Sequence, residues 1–184
     1  MIQQIFNFLL HIFSTLVAGA CLIRCLLQWQ GINLTLGLLN PISTYLFLFS
    51  NWIVLPLRRV LPNFRKLDSA CLCSAYLVIL LKALLLAFIN PTSQSILAPF
   101  VLAIFDLIDL SLSGLVGIIF ASIILSWLAV GSQARYLLSS LVNPLLKPIK
   151  RILPNTGQLD LSPLVLLIAI QLLQIIMANL KASI

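Results

Sequence analysis

The chain has 184 residues and a formal net charge of +7, with 61% hydrophobic and 8% charged residues. Its mean hydropathy is +1.15. A chain with so little polar surface cannot coat a water-soluble globule of this length, so the composition excludes that class and indicates an integral membrane protein.

Four apolar stretches are long enough to cross a bilayer as helices, which takes about 20 residues each. They are residues 5–29, 70–89, 110–130 and 161–180. The first is longer than the core of a signal peptide and has no basic residue before it, which predicts a retained span. Residues 96–105 make the third hydrophobic stretch longer than one span, and we predict that they form an interfacial lead-in, with Pro99 near its start.

Two further apolar segments, residues 35–57 and 135–149, each precede a basic, proline-containing motif. Residues 54–68 read VLPLRRVLPNFRKLD and residues 146–160 read LKPIKRILPNTGQLD, at an offset of 92, with seven of fifteen positions identical. The second apolar segment is too short to span, and duplicated units are expected to fold alike. This repeat predicts that neither segment spans.

The predicted fold is an all-α membrane protein with four transmembrane helices in two parallel, duplicated helical hairpins. The first repeat comprises residues 1–92 and the second residues 93–184. Each hairpin is expected to carry a short amphipathic interfacial helix before its basic, proline-rich loop.

The positive charge is concentrated around the two motifs. Eight of the eleven Lys and Arg residues lie there: Arg58, Arg59, Arg65, Lys66, Arg135, Lys147, Lys150 and Arg151. By the positive-inside rule the basic loops are cytoplasmic and both termini lie outside.

The basic loops are the first candidate site. Pro56 and Pro62 are expected to break the chain on either side of residues 57–61, which then form at most a short helical or turn segment. Its apolar side chains would enter the acyl boundary while the cations reach lipid phosphates. The residues that would bind lipid or a partner are Pro56, Arg58, Arg59, Pro62, Arg65, Lys66, Lys147, Pro148, Lys150, Arg151 and Pro154. Alternatively, the motif only sets the topology. Asp68 and Asp160 are predicted to cap the following spans, or to pair with an arginine of their own loop and close it.

The second candidate site is an intramembrane polar layer. Counted from Trp29 and Trp127, His11 corresponds to Asp109, and by the motif offset Lys82 corresponds to Gln174. All four fall in the outer half of the bilayer, and Lys82 is expected to pair with Asp109. The alternative is that Lys82 extends outward and that Asp106 and Asp109 are interfacial. Arg24 is expected to extend inward or to meet Asp68 or Asp160.

Cys21, Cys25, Cys71 and Cys73 lie near the cytoplasmic end of the spans, but the second repeat has no matching cysteines and no histidine lies nearby in sequence. We therefore predict packing rather than metal or haem ligation. The sequence contains no nucleotide-binding loop, hydrolase triad or metal-ligand spacing, so we expect neither a cofactor nor an enzyme.

The duplicated unit, with a Trp-terminated span, a P-[LI]-[RK]-R-[VI]-L-P-N motif and a following Asp, resembles the YggT family, including its YlmG-like members. The resemblance covers nearly the whole chain and implies a small protein of the bacterial inner (cytoplasmic) membrane. It implies roles in division-site organisation, osmotic or cation homeostasis, or cytochrome maturation.

Three functional hypotheses follow. The first is a scaffold or assembly factor that binds anionic phospholipid and other membrane proteins or further copies of itself, and no nucleic acid. The second is a small oligomeric pathway for cations or osmolytes, lined by the polar layer. The third is a haem maturation factor that uses the cysteines.

Overall fold

The computed structural model describes residues 1–30, 40–60, 69–89, 97–127, 133–152 and 162–183. This part of the chain contains six α-helices and no strand. They are α1 (Ile2–Trp29), α2 (Asn40–Val60), α3 (Ser69–Ile89), α4 (Ala98–Trp127), α5 (Gln133–Ile152) and α6 (Ser162–Ala182).

Four of these helices are long and apolar enough to cross a membrane: α1, α3, α4 and α6. Hydrocarbon offers no hydrogen-bond partner to the backbone, so a spanning segment satisfies its own N–H and C=O groups as a helix. The all-α class and the four predicted spans are thereby confirmed. Helices α2 and α5, which contain the two middle apolar segments, are not among the candidate spans.

The division of the chain into two compact units falls within α4, with Met1–Ser111 in the first and Leu112–Ser183 in the second. In the first unit α1 packs against α3, and α2 packs against both. Cys21 and Cys25, near the end of α1, share a core with Ala70 and Cys71, at the start of α3. This pairing of one helix end with the other helix start makes α1 and α3 an antiparallel hairpin.

The second unit has a smaller core. Ile119 of α4, Val142 and Leu146 of α5, and Ile170 of α6 form one buried cluster. Ile119 is fully buried, at 0% exposure. As in the first unit, the middle helix contributes to the core of its own unit.

Burial follows the sequence repeat. Val54 of α2 and Leu146 of α5 are motif equivalents at the offset of 92, and both are buried in the core of their own unit. One turn earlier, Ser50 and its equivalent Val142 are also buried. The same face of the middle helix therefore packs inward in both units. The predicted boundary between repeats, at residues 92 and 93, stays a prediction.

The predicted proline break is wrong for the part of the motif that the structure describes. Helix α2 continues through Pro56 to Val60, and α5 continues through Pro144 and Pro148 to Ile152. All three prolines lie on exposed faces. The proline rings therefore do not disturb the packed side, although each proline still removes one hydrogen bond of its own helix and crowds the carbonyl four residues earlier.

Consequently, the motif cations that the structure describes are helical and not in loops. Arg58 and Arg59 lie in the last turn of α2, and Lys150 and Arg151 in the last turn of α5. The middle helices, of 21 and 20 residues, are also longer than the short helices that we predicted.

The interfacial lead-in is not a separate element. Helix α4 is continuous over 30 residues from Ala98. At about 1.5 Å per residue it is about 45 Å long, against a hydrocarbon core of about 30 Å. A single helix of this length accommodates the excess by tilt or by projecting beyond the core.

Candidate functional site

The strongest polar contact between helices in the first unit centres on Arg24 of α1. Its side chain is buried, at 4% exposure. One guanidinium nitrogen, Nη1, donates to Ser50 Oγ at 2.9 Å and to Asn51 Oδ1 at 2.8 Å. The guanidinium carbon lies 4.7 Å from the centroid of the Phe47 ring. Hydrogen bonds from a charged donor and a cation–π contact together attach α2 to the first span.

These contacts with α2 were not among the two expectations for Arg24, and its inward extension stays a prediction. The buried guanidinium contacts α2 because the adjacent Ser50 and Asn51 offer it acceptors. Asp68 and Asp160, the other partners that we expected, lie outside the described residues.

The end of α2 next to this anchor carries the exposed motif arginines. Arg58 Nη2 donates to Gln28 Oε1 of α1 at 3.3 Å, and the side chain of Arg59 is exposed. Cations in the last turn of a helix also interact favourably with its dipole. The basic end of α2 is thus fixed next to the end of the first span.

Helix α5 presents a similar basic end with a different attachment. Lys147, Lys150 and Arg151 are exposed, while Val142 and Leu146 face the core. The counterparts of Arg24 and Ser50 are Ser122 and Val142, so the second unit replaces the buried guanidinium with apolar packing. Other motif residues lie outside those whose side chains the structure describes: Pro62, Arg65, Lys66, Arg135 and Pro154.

Three ionisable residues of the first unit meet near the other end of the hairpin. Lys82 Nζ of α3 lies 3.1 Å from His11 Nδ1 of α1 and 3.7 Å from Asp106 Oδ2 of α4. The Lys82 and Asp106 side chains are 16% and 26% exposed. The carboxylate beside Lys82 is therefore Asp106, one turn before the predicted Asp109. Asp109 itself is exposed; it lies about 60° from Asp106 round the α4 axis and about 4.5 Å further along it.

Gln174 lies in the second unit and makes its own contact there. Its Nε2 donates to Ser113 Oγ of α4 at 2.9 Å. His11 and Lys82 are thus in contact in one unit, while Gln174 joins two helices of the other. A single layer that includes Asp109 and Gln174 stays a prediction.

The cysteines of the first unit belong to its core. Cys21, Cys25 and Cys71 are buried in one apolar cluster, and Cys73 is half-buried. Among the described residues, no three His, Cys, Asp or Glu side chains form a group that would hold a metal ion.

Sequence reasoning missed Phe47 and Ser50 as partners of Arg24. A usable signal was the dipeptide Ser50-Asn51 within an otherwise apolar run, because polar residues facing a membrane bundle usually pair across helices. The same reasoning considered Asp106 only as an interfacial residue. Asp106 and Asp109 are one turn apart, so only the packing of α4 decides which of the two carboxylates lies beside Lys82.

Taken together, four apolar helices, two helices that lie against them and basic helix ends define a multi-pass membrane protein. The CCB3/YggT family matches residues 3–89 and 101–181, in two segments consistent with the duplication. The chain belongs to this family, and the predicted resemblance is confirmed.

Similar bacterial proteins cover most of the chain. The Escherichia coli K12 protein YggT is 32% identical over 163 residues, which is 88% of this chain and 83% of that protein. A Vibrio alginolyticus protein from the proC 3′ region is 34% identical over 143 residues, covering 76% of this chain and 77% of its own. A Haemophilus influenzae protein is 29% identical over 142 residues, or 77% and 76% of the two chains. These relatives have no assigned activity, and no solved structure matches significantly.

Proposed function

We propose that this protein is a non-enzymatic membrane scaffold that presents two basic helix ends, one on α2 and one on α5, to anionic phospholipid and to partner membrane proteins. The observation that carries the proposal is the repeated arrangement of the middle helices. Each buries the same face in its unit and exposes its motif cations at the same end.

Fixed cations suit this role better than mobile ones. Arg24 and the Arg58 contact with Gln28 hold α2 against α1, so the helix end that carries Arg59 is positioned before any lipid or partner arrives. A positioned cation loses less conformational entropy on binding. Each basic residue near an anionic leaflet contributes about 1 kcal/mol, so the paired helices add a favourable surface interaction to an already inserted protein.

The same charges supply the proposed orientation. The basic ends of α2 and α5 lie on the cytoplasmic side and both termini on the other, because the cations concentrate at the motifs and the opposite side has Lys181. The protein would reside in the bacterial inner membrane. Single cysteines placed at Gln3 and at Arg151 in a cysteine-free background test this with a membrane-impermeant thiol reagent. Labelling of the Arg151 position in intact cells would contradict the orientation.

Transport and haem maturation receive less support. The polar contacts of Lys82 join three helices through a cation that already occupies the space between His11 and Asp106, which does not favour passage of a second cation. Buried cysteines in an apolar core lack the accessibility that a redox or ligation role needs.

The scaffold proposal is tested by neutralising one equivalent cation in each helix. The double variant Arg59→Gln with Arg151→Gln removes two exposed charges and leaves the buried faces of α2 and α5 unchanged. We expect about fivefold weaker enrichment of anionic lipid per charge removed, and loss of cross-links to partner proteins in cells. The measurements are lipid analysis of nanodiscs excised directly from the membrane and cross-linking with mass spectrometry.

The control is Lys181→Gln, which removes an exposed cation at the end of α6, away from both middle helices in sequence. It should leave partners and lipid enrichment at their wild-type levels. If the double variant keeps its orientation, its partners and its lipid shell, the basic ends do not carry the function and the proposal is refuted.

A further inference from the structure

A groove of about 400 Å³ lies between α1, α2 and α3 of the first unit. Its walls are apolar, with Phe13 on α1, Trp52 on α2, and Val78 and Leu81 on α3. Phe13, Trp52 and Leu81 are all exposed, so the groove opens to the surroundings of the bundle. Its size lies within the usual range for small-molecule sites, about 300–1,000 Å³.

Lys82 and Ser14 also line this groove, but its surface is almost entirely apolar, so Lys82 contributes mainly the carbon stem of its side chain. The Ser14 hydroxyl already donates to the carbonyl of His11 at 3.0 Å. In the described part of the chain, the Lys82 ammonium has one contact at hydrogen-bonding distance, to His11 Nδ1 at 3.1 Å, and a longer one to Asp106 at 3.7 Å. An ammonium has three N–H donors, so it can also donate to an incoming oxygen.

The direction of the Lys82 side chain places this ammonium near the bilayer boundary. At about 1.5 Å per residue, the Cα of Lys82 is about 20 Å from the Ser69 end of α3, and the Cα of His11 is about 27 Å from the Trp29 end of α1. These two ends share a core, so they lie at similar depth. To reach His11, Lys82 therefore extends towards the far face of a core about 30 Å thick, as lysines near helix ends do.

We propose that this groove is a phospholipid site in the leaflet opposite the basic end of α2, with the lipid phosphate on Lys82 and one acyl chain in the groove. The apolar walls match the chain, and the ammonium matches the negative phosphate oxygens. His11 and Asp106 are positioning residues: neither lines the groove, so the ammonium that they hold lies beside the groove, at the end of a side chain whose carbon stem lines it. This site is separate from the scaffold function proposed above and uses none of the motif cations.

The test compares two photoactivatable lipids in vesicles of phosphatidylcholine that contain the purified full chain. One probe is phosphatidylglycerol with a diazirine in the middle of an acyl chain, and the other is diacylglycerol with the same chain but no phosphate. Cross-links are mapped by mass spectrometry. The measured quantity is the labelling ratio, which is the amount of cross-link at the groove residues Val78 and Leu81 divided by the amount at Leu172. Leu172 is an exposed residue of α6 and reports ordinary lipid contact.

We expect phosphatidylglycerol to give about a fivefold higher ratio than diacylglycerol in the wild type, because one cation–phosphate contact at the interface separates the two probes. Lys82→Met should lower the phosphatidylglycerol ratio to that of diacylglycerol, whereas Lys82→Arg should retain most of it. Lys181→Met is the control and should leave both ratios unchanged. Equal ratios for the two probes in the wild type, or an undiminished ratio in Lys82→Met, would overturn the proposal.

A second variant keeps the test decisive if Lys82→Met does not fold. Leu81→Trp adds bulk to an exposed wall of the groove and leaves Lys82 in place. It should reduce groove labelling by phosphatidylglycerol at Val78 severalfold. Unchanged labelling at Val78 would show that the acyl chain lies elsewhere, which also refutes the proposal.

Discussion

The contact of Arg24 with α2 should account for a large part of the stability with which α2 is held to the bundle. Replacing Arg24 with Leu removes hydrogen bonds of 2.9 and 2.8 Å to Ser50 and Asn51 and the contact with the Phe47 ring at 4.7 Å. The Ser50 hydroxyl keeps the hydrogen bond that it donates to the Leu46 carbonyl at 2.7 Å, so it still has a partner. The Asn51 amide oxygen, in contrast, loses a charged donor.

The magnitude follows from these contacts. Interhelical hydrogen bonds in membranes contribute about 0.6 kcal/mol on average and at most about 1.7. With a charged donor and short distances, two of them together with a cation–π contact give about 2–3 kcal/mol. The cost of inserting a cation does not offset this loss, because an undocked Arg24 near the end of α1 can extend to the interface.

The assay is hydrogen–deuterium exchange of α2 amides in lipid nanodiscs. Loss of about 2–3 kcal/mol should speed exchange by local opening about 30- to 150-fold in α2. Exchange in α6, which belongs to the other unit, should stay unchanged. An α2 that exchanges at the wild-type rate in Arg24→Leu would refute the reasoning, because it would show that the buried guanidinium contributes no net stability.

The duplication provides a matched control for the acceptor. Asn51→Leu should speed α2 exchange about fivefold or more, since it leaves a buried cation with one acceptor fewer. Asn143→Leu, the equivalent change on the exposed face of α5, should stay within about 0.5 kcal/mol of wild type. The double variant Arg24→Leu with Asn51→Leu should cost less than the sum of the single changes, because it removes both members of the contact.

Other variants test the packing of the remaining helices by unfolding in mixed micelles. Ile119→Ala should lower the free energy of unfolding by about 1–2 kcal/mol, because it leaves a cavity in the core; in lipid there is no further loss from transfer out of water. Phe120→Ala, next to it but 58% exposed, should lower the free energy of unfolding by under about 0.5 kcal/mol. Gln174→Leu, which removes the 2.9 Å contact with Ser113, should cost about 0.6 kcal/mol, and a loss above about 2 would contradict a simple interhelical bond. Pro56→Ala should stabilise α2 and slow its amide exchange, and faster exchange would show that the proline is needed for the packed geometry.

Some of the site was predictable from particular residues and some was not. The paired motif indicated that α2 and α5 are equivalent, and the buried pairs Ser50 with Val142 and Val54 with Leu146 agree with that equivalence. The prolines were misleading, because a helix continues through a proline when the packing of its other residues offsets the lost hydrogen bond and the crowding by the ring. In this chain the proline face points outward, and only the packing of the opposite face reveals that.

The partner of Lys82 illustrates the same limit at the level of one side chain. Asp106 and Asp109 are one turn apart on α4, and counting depth from a tryptophan favours Asp109 through its correspondence with His11. The two positions lie on one side of α4, about 60° apart round its axis, so the observed contact depends on how α4 is rotated and shifted against α1 and α3. Depth is readable from sequence position, but rotation about the helix axis is set by packing.

The sequence by itself determined the class, the four spans, the duplication and the concentration of positive charge. These follow from hydropathy, length and spacing, which act along one chain and need no knowledge of neighbours. The tertiary structure alone decided that Arg24 attaches α2, that the motif cations described are helical, and that Asp106 meets Lys82. Each of these depends on which faces of two helices meet, a property of their mutual rotation that the chain order leaves open.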